Sequence, residues 1–242
     1  GVEPDGFNIN RGVGSTSPAA LIEAVRAHGA DMGIALDGDG DRLICVDDTG
    51  ATVDGDELLY IVAADRHRRD GGCTGVVGTL MSNLGVELAL RGLGVPFARA
   101  KVGDRYVLEM LAEKGWRLGG ESSGHIICLD VSTTGDGIVS ALRVLAAMQA
   151  GGRSLRELRA GVSKFPQLMI NVAVAVRTDP LANVRVASAV AAVETALAGR
   201  GRVLLRASGT EPLIRVMVEG EDSEAVERHA TELAHVVRSE LA

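Results

Sequence analysis

Met32-Gly33-Ile34-Ala35-Leu36 runs directly into Asp37-Gly38-Asp39-Gly40-Asp41-Arg42, and this stretch indicates both a fold class and a metal site. The apolar run predicts a buried strand, and the acids follow where that strand ends, which is where open α/β sheets hold ligands. Closely spaced carboxylates repel one another away from bulk water unless a cation lies among them. The intervening glycines let the chain curl, so that Asp37, Asp39 and Asp41 approach one ion. Oxygen donors without a neighbouring His or Cys favour one Mg²⁺ over zinc.

Arg42 places a fixed cation beside the predicted metal site. Its planar guanidinium suits a pair of phosphate oxygens, although it also serves simply to neutralise the acids. An EF-hand loop counted from Asp37 needs Gly and Glu where Arg42 and Asp48 stand, so that alternative fails. An aspartate-nucleophile phosphatase resembles the first three residues, but its D-x-D-G-T pattern has Thr or Val where Asp41 stands. A solvated acidic turn in a β-hairpin is the structural alternative.

The composition is that of a globular protein with no affinity for nucleic acid. Of 242 residues, 46% are hydrophobic and 2% aromatic, so we expect more than one core, built from aliphatic side chains. The net charge of -7 provides no basic field for nucleic acid. No apolar stretch is long enough to cross a bilayer and no signal peptide opens the chain, so we expect no membrane association. The scattered Cys45, Cys73 and Cys128 are typical of reduced thiols, which predicts a cytoplasmic location.

Alternating strands and helices predict an α/β fold with mixed, mostly parallel sheets. The metal-loop strand belongs to a first unit over residues 1–52, which begins with Gly1 in what resembles mid-domain. A second α/β unit follows over residues 53–163. After Lys164-Phe165-Pro166, which is typical of a linker, the pattern changes to β-α-β-β-α. We therefore expect a smaller α+β C-terminal domain over residues 164–242.

A second polar loop, Gly119 to His125, lies between two short predicted strands. Its glycines remove bulk, while Glu121, Ser123 and His125 supply an acceptor, a hydroxyl and a titratable ring. These groups suit the vicinal hydroxyls of a sugar. The structural alternative is a tight polar turn that buries His125 in a crevice.

A third polar loop, Arg206 to Pro212, is followed three residues later by Arg215. Its arginines, hydroxyls and flexible backbone converge between two predicted strands, which suits a phosphate dianion. The structural alternative is a surface hairpin in which one arginine pairs with Glu211.

These three loops, in this order, closely resemble those of the α-D-phosphohexomutase family over essentially the whole chain. The motifs are DGDGDR at residues 37–42, GESSGH at 120–125 and RASGTEPLIR at 206–215. Asn8-Ile9-Asn10 and Val102-Gly103-Asp104-Arg105-Tyr106 are similar to the branch of the family that acts on glucosamine phosphate. That branch often carries Gln at the position of Ser122.

The resemblance implies a four-domain enzyme whose central cleft receives one loop from each domain. It also implies that an enzyme phosphoserine phosphorylates a sugar phosphate, and that the resulting 1,6-bisphosphate turns over and returns its other phosphate to the serine. The implied roles are Mg²⁺ binding by Asp37, Asp39 and Asp41, contact with the transferring phosphate by Arg42, sugar binding by Glu121 and Ser123, and clamping of the second phosphate by Arg206, Ser208, Gly209, Thr210 and Arg215.

His125 is the histidine in these loops and therefore the candidate acid/base group. The family's first domain, which carries the catalytic serine in a T-x-S-H-N-P-like motif, is missing from this sequence. We therefore expect a fragment that is inactive alone and has the missing N-terminal domain as its partner. The implied ligands are one Mg²⁺, a phosphosugar and glucosamine 1,6-bisphosphate as activator. A homo-oligomer is left open.

Three alternatives to the glucosamine phosphate branch stay open. The phosphomannomutase/phosphoglucomutase branch carries similar loops but tends to have His where Asp104 stands. A fragment without the first domain also fits a non-catalytic phosphosugar-binding protein. An aspartate-based phosphatase, which forms its covalent intermediate on Asp37, is more distant.

Overall fold

A computed structural model of the chain describes residues 3, 5–70, 72–175, 178–208 and 211–242. The chain divides into two compact units, Gly1–Ser163 and Lys164–Ala242, which are described separately. In the part of the chain that the structure describes, no helix is both long and apolar enough to cross a bilayer.

The first unit begins with a small antiparallel sheet that carries the acidic loop. Its strands are β1 (Met32–Leu36), β2 (Leu43–Asp47) and β3 (Thr52–Val53), in the order β1-β2-β3. Helix α1 (Ala19–His28) packs on one face of β1, where a Cβ atom at Gly33 would lie 2.6 Å from a methyl carbon of Val25. Gly33 therefore lets the helix approach the strand closely.

A four-stranded sheet forms the rest of the first unit, in the order β5-β4-β6-β7. Its strands are β4 (Val76–Thr79), β5 (Phe97–Ala100), β6 (Leu118–Gly120) and β7 (Ile126–Cys128). Its helices are α2 (Gly55–Asp70), α3 (Leu84–Gly92), α4 (Asp104–Lys114), α5 (Gly137–Gly151) and α6 (Leu155–Arg159). The β4 strand pairs in parallel with β5 and β6, whereas β7 is antiparallel to β6.

One hydrophobic core joins the two sheets of this unit. Leu43 and Cys45 of β2 pack with Leu58 and Leu59 of α2, and none of the four is exposed. Burial of each large aliphatic side chain contributes about 1.5–3 kcal/mol to folding. The acidic loop and the parallel sheet are therefore parts of one packed body.

The second unit is a sheet covered on one face by two long helices. Strands β8 (Gln167–Ala173), β9 (Gly201–Ala207) and β10 (Leu213–Gly220) pair antiparallel in the order β8-β10-β9. Helices α7 (Val184–Leu197) and α8 (Ser223–Leu241) complete it, with a 3-10 turn at Pro180–Ala182 before α7. Alternate strand residues, such as Ile214 and Val216, are fully buried in the core shared with the helices.

The α/β class with mixed sheets and a smaller α+β C-terminal part is confirmed by this architecture. Among the described residues, parallel pairing occurs only between β4 and its neighbours β5 and β6, and the other two sheets are antiparallel. The first sheet is antiparallel, and not parallel as predicted, because β1 returns directly into β2 through a short loop instead of crossing over through a helix.

Candidate active site

The acidic loop connects β1 to β2 and gathers its three carboxylates. In its topology it is a hairpin loop, as the structural alternative proposed, because Leu36 and Leu43 pair across its base. Carboxylate oxygens of Asp37, Asp39 and Asp41 nevertheless all lie within 4.8 Å of one another. Oxygens bound to one Mg²⁺ at about 2.1 Å lie up to about 4.2 Å apart, so only a small closure is needed.

Close backbone contacts fix the curled shape of this loop. Gly40 has φ 74°, which favours glycine, and its carbonyl accepts a hydrogen bond of 2.9 Å from the Gly137 N–H at the start of α5. The Arg42 N–H donates to Asp37 Oδ1 at 3.1 Å. At Gly38 a Cβ atom would lie 2.3 Å from Ile9 Cγ2, so a larger residue there would require the Ile9 side chain to move. The loop is therefore held from several sides before any ion binds.

The electrostatics of the carboxylates fit a cation. Burial, a hydrogen bond with Asp37 and the charge of Asp37 raise the pKa of Asp41. Burial acts to raise the pKa of Asp37 as well, but hydrogen bonds from the Arg42 N–H and Asp41 lower it on balance. Asp41 Oδ1 is buried and has no hydrogen-bond partner among the described residues, with Arg42 Nε 3.9 Å away. A divalent cation would relieve both the repulsion and the unsatisfied oxygen.

Arg42 is an exposed charge of the loop, with its side chain 46% accessible. Its Nε atom lies 3.6 Å from Asp37 Oδ2, so it partly neutralises the acids. This exposure leaves the guanidinium accessible to an incoming phosphate.

The acidic loop and the second polar loop touch each other within the first unit. Arg42 and His125 form an isolated antiparallel β-bridge, and the Leu43 N–H donates to the Gly124 carbonyl at 3.1 Å. Gly124 has φ 93°, and a Cβ atom there would lie 2.0 Å from the Leu43 carbonyl oxygen. This contact between the two loops therefore requires a glycine at position 124.

His125 is buried against the acidic loop. It is only 4% exposed, its Nε2 atom lies 3.4 Å from Asp41 Oδ2, and Gly135 packs on its ring. Its Nδ1 atom is buried without a hydrogen-bond partner among the described residues. The ring therefore contacts Asp41, a candidate metal ligand, and can hold that carboxylate in one orientation. The predicted acid/base role of His125 stays a prediction.

Glu121 and Ser123 occupy different environments in the second loop. Glu121 Oε1 accepts a hydrogen bond of 2.8 Å from the Gly103 N–H, where the chain has φ 125°. Glu121 thus connects this loop to the segment between β5 and α4, within the stretch from Val102 to Tyr106. Ser123 lies exposed in the turn that the Gly124 N–H closes on the Glu121 carbonyl at 3.0 Å.

In the second unit, Arg206 and Arg215 lie directly opposite each other on β9 and β10. Both Nε atoms are buried without a hydrogen-bond partner among the described residues. Burial, followed by the charge of Arg215, lowers the pKa of Arg206. Two adjacent cations with unused donors form a site that an anion stabilises.

The rest of the third loop combines features of a phosphate site with features of a surface hairpin. Arg215 Nη2 lies 3.6 Å from Glu211 Oε2, as a surface hairpin would have it, but no described ion pair involves Arg206. Ser208 is 4% exposed and its Oγ accepts a hydrogen bond of 3.3 Å from the Glu211 N–H. Arg206 and Ser208 also line an open cavity of about 560 Å³. Gly209 and Thr210, predicted as phosphate ligands, lie outside the described residues.

Two features of these sites were missed by sequence reasoning. Asn171 pairs with Arg215 across β8 and β10, so it extends the arginine row by one exposed polar side chain. The signal for Asn171 in the sequence was that it is a single polar residue within an otherwise apolar strand. Gly135 and Gly137 support His125 and the acidic loop, but only contacts distant in the sequence reveal this.

Family models match nearly the whole chain in three segments. They are phosphoglucomutase/phosphomannomutase alpha/beta/alpha domain II over residues 10–50, alpha/beta/alpha domain III over 54–165 and the C-terminal domain over 169–236. The chain therefore belongs to the phosphoglucomutase/phosphomannomutase, or phosphohexomutase, family.

Curated relatives show the same relationship at higher identity. The chain is 61% identical over 240 residues to phosphoglucosamine mutase of Cellvibrio japonicus and 62% identical over 239 residues to that of Aeromonas hydrophila subsp. hydrophila. Each match covers 99% of this chain and 54% of the relative. The chain thus spans about half the length of the curated relatives it matches.

Solved structures share the fold. Aspergillus fumigatus N-acetylphosphoglucosamine mutase, in complex with GlcNAc-6P and magnesium, matches with a TM-score of 0.76 at 22% identity, over 98% of this chain and 58% of that chain. A Burkholderia thailandensis phosphoglucomutase/phosphomannomutase family protein matches with a TM-score of 0.72 at 20% identity, over 93% of this chain and 50% of that chain.

Proposed function

We propose that this chain is the metal-binding and substrate-recognition part of a phosphoglucosamine mutase, which interconverts glucosamine 6-phosphate and glucosamine 1-phosphate through a 1,6-bisphosphate. The observation that carries the proposal is the cluster of Asp37, Asp39 and Asp41, gathered within 4.8 Å, with one buried oxygen lacking a hydrogen bond. The names and identities of the curated relatives support the glucosamine phosphate substrate.

In this proposal the acidic loop prepares a phosphoryl group for transfer. Asp37, Asp39 and Asp41 would hold one Mg²⁺, which would supply positive charge opposite the transferring phosphate. Arg42 contributes its exposed guanidinium donors to the same phosphate. His125 holds Asp41 in place through its Nε2 contact, and we keep its acid/base role as a separate prediction.

The remaining loops recognise the parts of the substrate that do not react. Glu121 and Ser123 bind sugar hydroxyls, and Arg206, Ser208 and Arg215 bind the second phosphate together with Gly209 and Thr210. The arginine row suits this role because its unused donors are already positioned side by side on two strands. Binding energy from the unreactive phosphate then positions the reactive one.

The reaction requires a nucleophile that we place outside these residues. A phosphoserine transfers its phosphoryl group to the free sugar hydroxyl, whose proton passes to a base, and later recovers a phosphoryl group from the other end. We assign this serine to a domain equivalent to the half of the relatives that the chain does not span. Residues 1–52, 53–163 and 164–242 then correspond to parts of the second, third and fourth domains of a cytoplasmic enzyme. The chain alone is expected to bind phosphosugar without turning it over.

The test is ³¹P NMR of this chain with Mg²⁺, glucosamine 6-phosphate and catalytic glucosamine 1,6-bisphosphate. We expect the phosphate resonances to shift on titration without formation of the 1-phosphate, and the shift to be lost in the Arg206→Ala variant. Formation of the 1-phosphate would overturn the assignment of the nucleophile to another domain. Resonances that respond equally to wild type and variant would overturn the phosphate site. Stronger shifts with mannose 6-phosphate would favour the phosphomannomutase/phosphoglucomutase branch.

A further inference from the structure

The first unit contains a cavity of about 520 Å³ between helices α2, α5 and α6. This volume lies in the range of roughly 300–1,000 Å³ that is typical of small-molecule sites. Its walls include aliphatic side chains from these helices and from the end of α3, namely Ile61, Ala64, Leu93, Ala147 and Leu158. Such walls suit an apolar ring in an occupant.

The cavity is separate from the candidate active site, because it lies toward the C-terminal ends of helices whose N-terminal ends contact the polar loops. At the start of α2, the Gly55 N–H donates to the Ser122 carbonyl of the second polar loop at 3.2 Å. At the start of α5, Gly137 contacts the acidic loop. The α5 residues that line the cavity begin at Ala147, about 15 Å along the helix from Gly137. An occupant of the cavity would therefore leave both loops accessible.

Tyr60 and His67 bring unpaired polar groups to this cavity. Tyr60 is 8% exposed, and its hydroxyl makes no hydrogen bond with the described residues. A Cβ atom on Gly161, which also lines the cavity, would lie 2.1 Å from that hydroxyl oxygen, so the hydroxyl lies at the Gly161 end. The Nδ1 atom of His67 is likewise buried without a partner among the described residues. Because a buried tyrosine hydroxyl is normally hydrogen-bonded, its lack of a partner points to a ligand atom at this position.

The charges around the cavity favour an anion. Arg68 and Arg153 line it. Asp65 lines it as well, but its two oxygens are paired, with Arg68 Nη2 at 2.8 Å and with Arg69 Nη2 at 2.6 Å. Burial raises the pKa of Tyr60, whereas the charge of Arg153 acts to lower it, so the hydroxyl stays a donor at neutral pH and lies near that guanidinium. A carboxylate between the two groups would accept hydrogen bonds from both.

We infer that this cavity binds a small molecule of the aromatic carboxylate class, with its ring against the aliphatic walls and its carboxylate between the Tyr60 hydroxyl and the Arg153 guanidinium. The walls alone would accept any apolar molecule of this size, and the positive charge selects an acidic one. None of the residues that line the cavity belongs to the three polar loops. The inference therefore does not rest on the proposed function.

The test is isothermal titration calorimetry of the whole 242-residue chain with naphthalene-2-carboxylate, together with saturation-transfer NMR of the same probe. We expect saturable one-to-one binding that weakens about 10-fold in Tyr60→Phe, which removes the hydroxyl and keeps the ring, and about 10-fold in Arg153→Gln. The uncharged naphthalene-2-carboxamide should bind about 10-fold more weakly than the acid. Arg156→Gln is the matched control, since it removes an exposed charge that does not line the cavity.

The outcomes separate this site from the proposed function. An unchanged affinity in Tyr60→Phe or in Arg153→Gln, an equal loss in Arg156→Gln, or no saturable binding would overturn the site. Equal affinity for the acid and the carboxamide would overturn the choice of an acidic ligand. Displacement of the probe by glucosamine 6-phosphate would place the probe in the proposed substrate site instead. Absence of phosphosugar binding in a chain that still binds the probe would contradict the proposed function alone. Circular dichroism of the three variants confirms that they are folded.

Discussion

Asp39 is the exposed member of the acidic cluster, whereas Asp37 and Asp41 are partly buried. Its side chain makes no described hydrogen bond or ion pair, so no described structural contact competes with the proposed metal binding. The buried pair, by contrast, exchanges hydrogen bonds with the loop itself. A substitution at Asp39 therefore tests metal binding with less effect on folding than a substitution at Asp37 or Asp41.

The Asp39→Asn variant is expected to bind Mg²⁺ about 10-fold more weakly or worse, because an amide replaces one of three charged ligands. Without Mg²⁺ its melting temperature should equal or exceed that of the wild type, since one source of repulsion is gone. Isothermal titration calorimetry measures the first effect and thermal unfolding the second. Asp48→Asn, an exposed aspartate in the following turn, is the control. Equal affinities in the two variants would contradict the metal site.

Arg206, in contrast to Asp39, has a charged side chain in an environment that is unfavourable for its charge. Burial and the charge of Arg215 lower its pKa, which means that the folded state disfavours its charged form. A purely structural arginine would instead be compensated by an acid or by hydrogen bonds to its Nε atom.

Arg206→Leu is therefore expected to leave the melting temperature unchanged or raised, while inorganic phosphate binds about 10-fold to 100-fold more weakly. Phosphate titration followed by ³¹P NMR, together with a thermal melt, measures both quantities. Arg238→Leu on the exposed face of α8 is the control, and it should change neither. A lowered melting temperature with unchanged phosphate binding would assign Arg206 to structure alone.

At the scale of elements, local sequence predicted which segments form the loops but not which loops touch. The strand Met32–Leu36 with acids at its end, and the hairpin around Arg206 and Arg215, follow from short-range pattern and turn chemistry. The contact of His125 with Asp41 depends on a pairing between residues far apart in the chain, for which no local pattern exists. The reversal of β1 into β2 was predicted only as the structural alternative, because the strand pattern specifies a strand but not its neighbour.

Asp47, at the end of β2, joins this small sheet to α6. It is 1% exposed, accepts hydrogen bonds from the Thr49 and Ala51 N–H groups at 3.0 Å, and lies 3.3 Å from Arg159 Nη1. Burial acts to raise its pKa, but these hydrogen bonds and the Arg159 charge lower it below 3.8. Because the folded-state pKa is depressed, the stabilisation is complete above pH 3.8 and is lost as the pH falls through the folded-state value.

Asp47→Asn should therefore lower the free energy of unfolding by about 1–3 kcal/mol at pH 7. The difference from the wild type should shrink below pH 3.8, where the wild-type carboxylate also becomes protonated. Urea unfolding at both pH values measures it. The exposed neighbour substitution Asp48→Asn should show no such dependence. A difference that grows as the pH falls would contradict the assignment.

At the scale of the whole molecule, the two units have separate cores. The sequence placed the change of pattern at Lys164-Phe165-Pro166, and the second unit begins at Lys164. Its core draws on both helices and all three strands, including Val172, Val186 and Val237. This arrangement was predictable because each element alternates between buried and exposed residues with its own period.

Residues 164–242 expressed alone are therefore expected to unfold cooperatively in urea and to bind inorganic phosphate within about threefold of the affinity of the whole chain. The reason is that Arg206, Arg215 and Ser208 are all positioned by strands of this unit. Circular dichroism during urea titration and ³¹P NMR measure the two properties, with Arg206→Leu in the same fragment as the control. Cooperative unfolding without phosphate binding would show that the arginine pair needs donors from residues 1–163. That result would contradict a phosphate site formed by residues 164–242 alone.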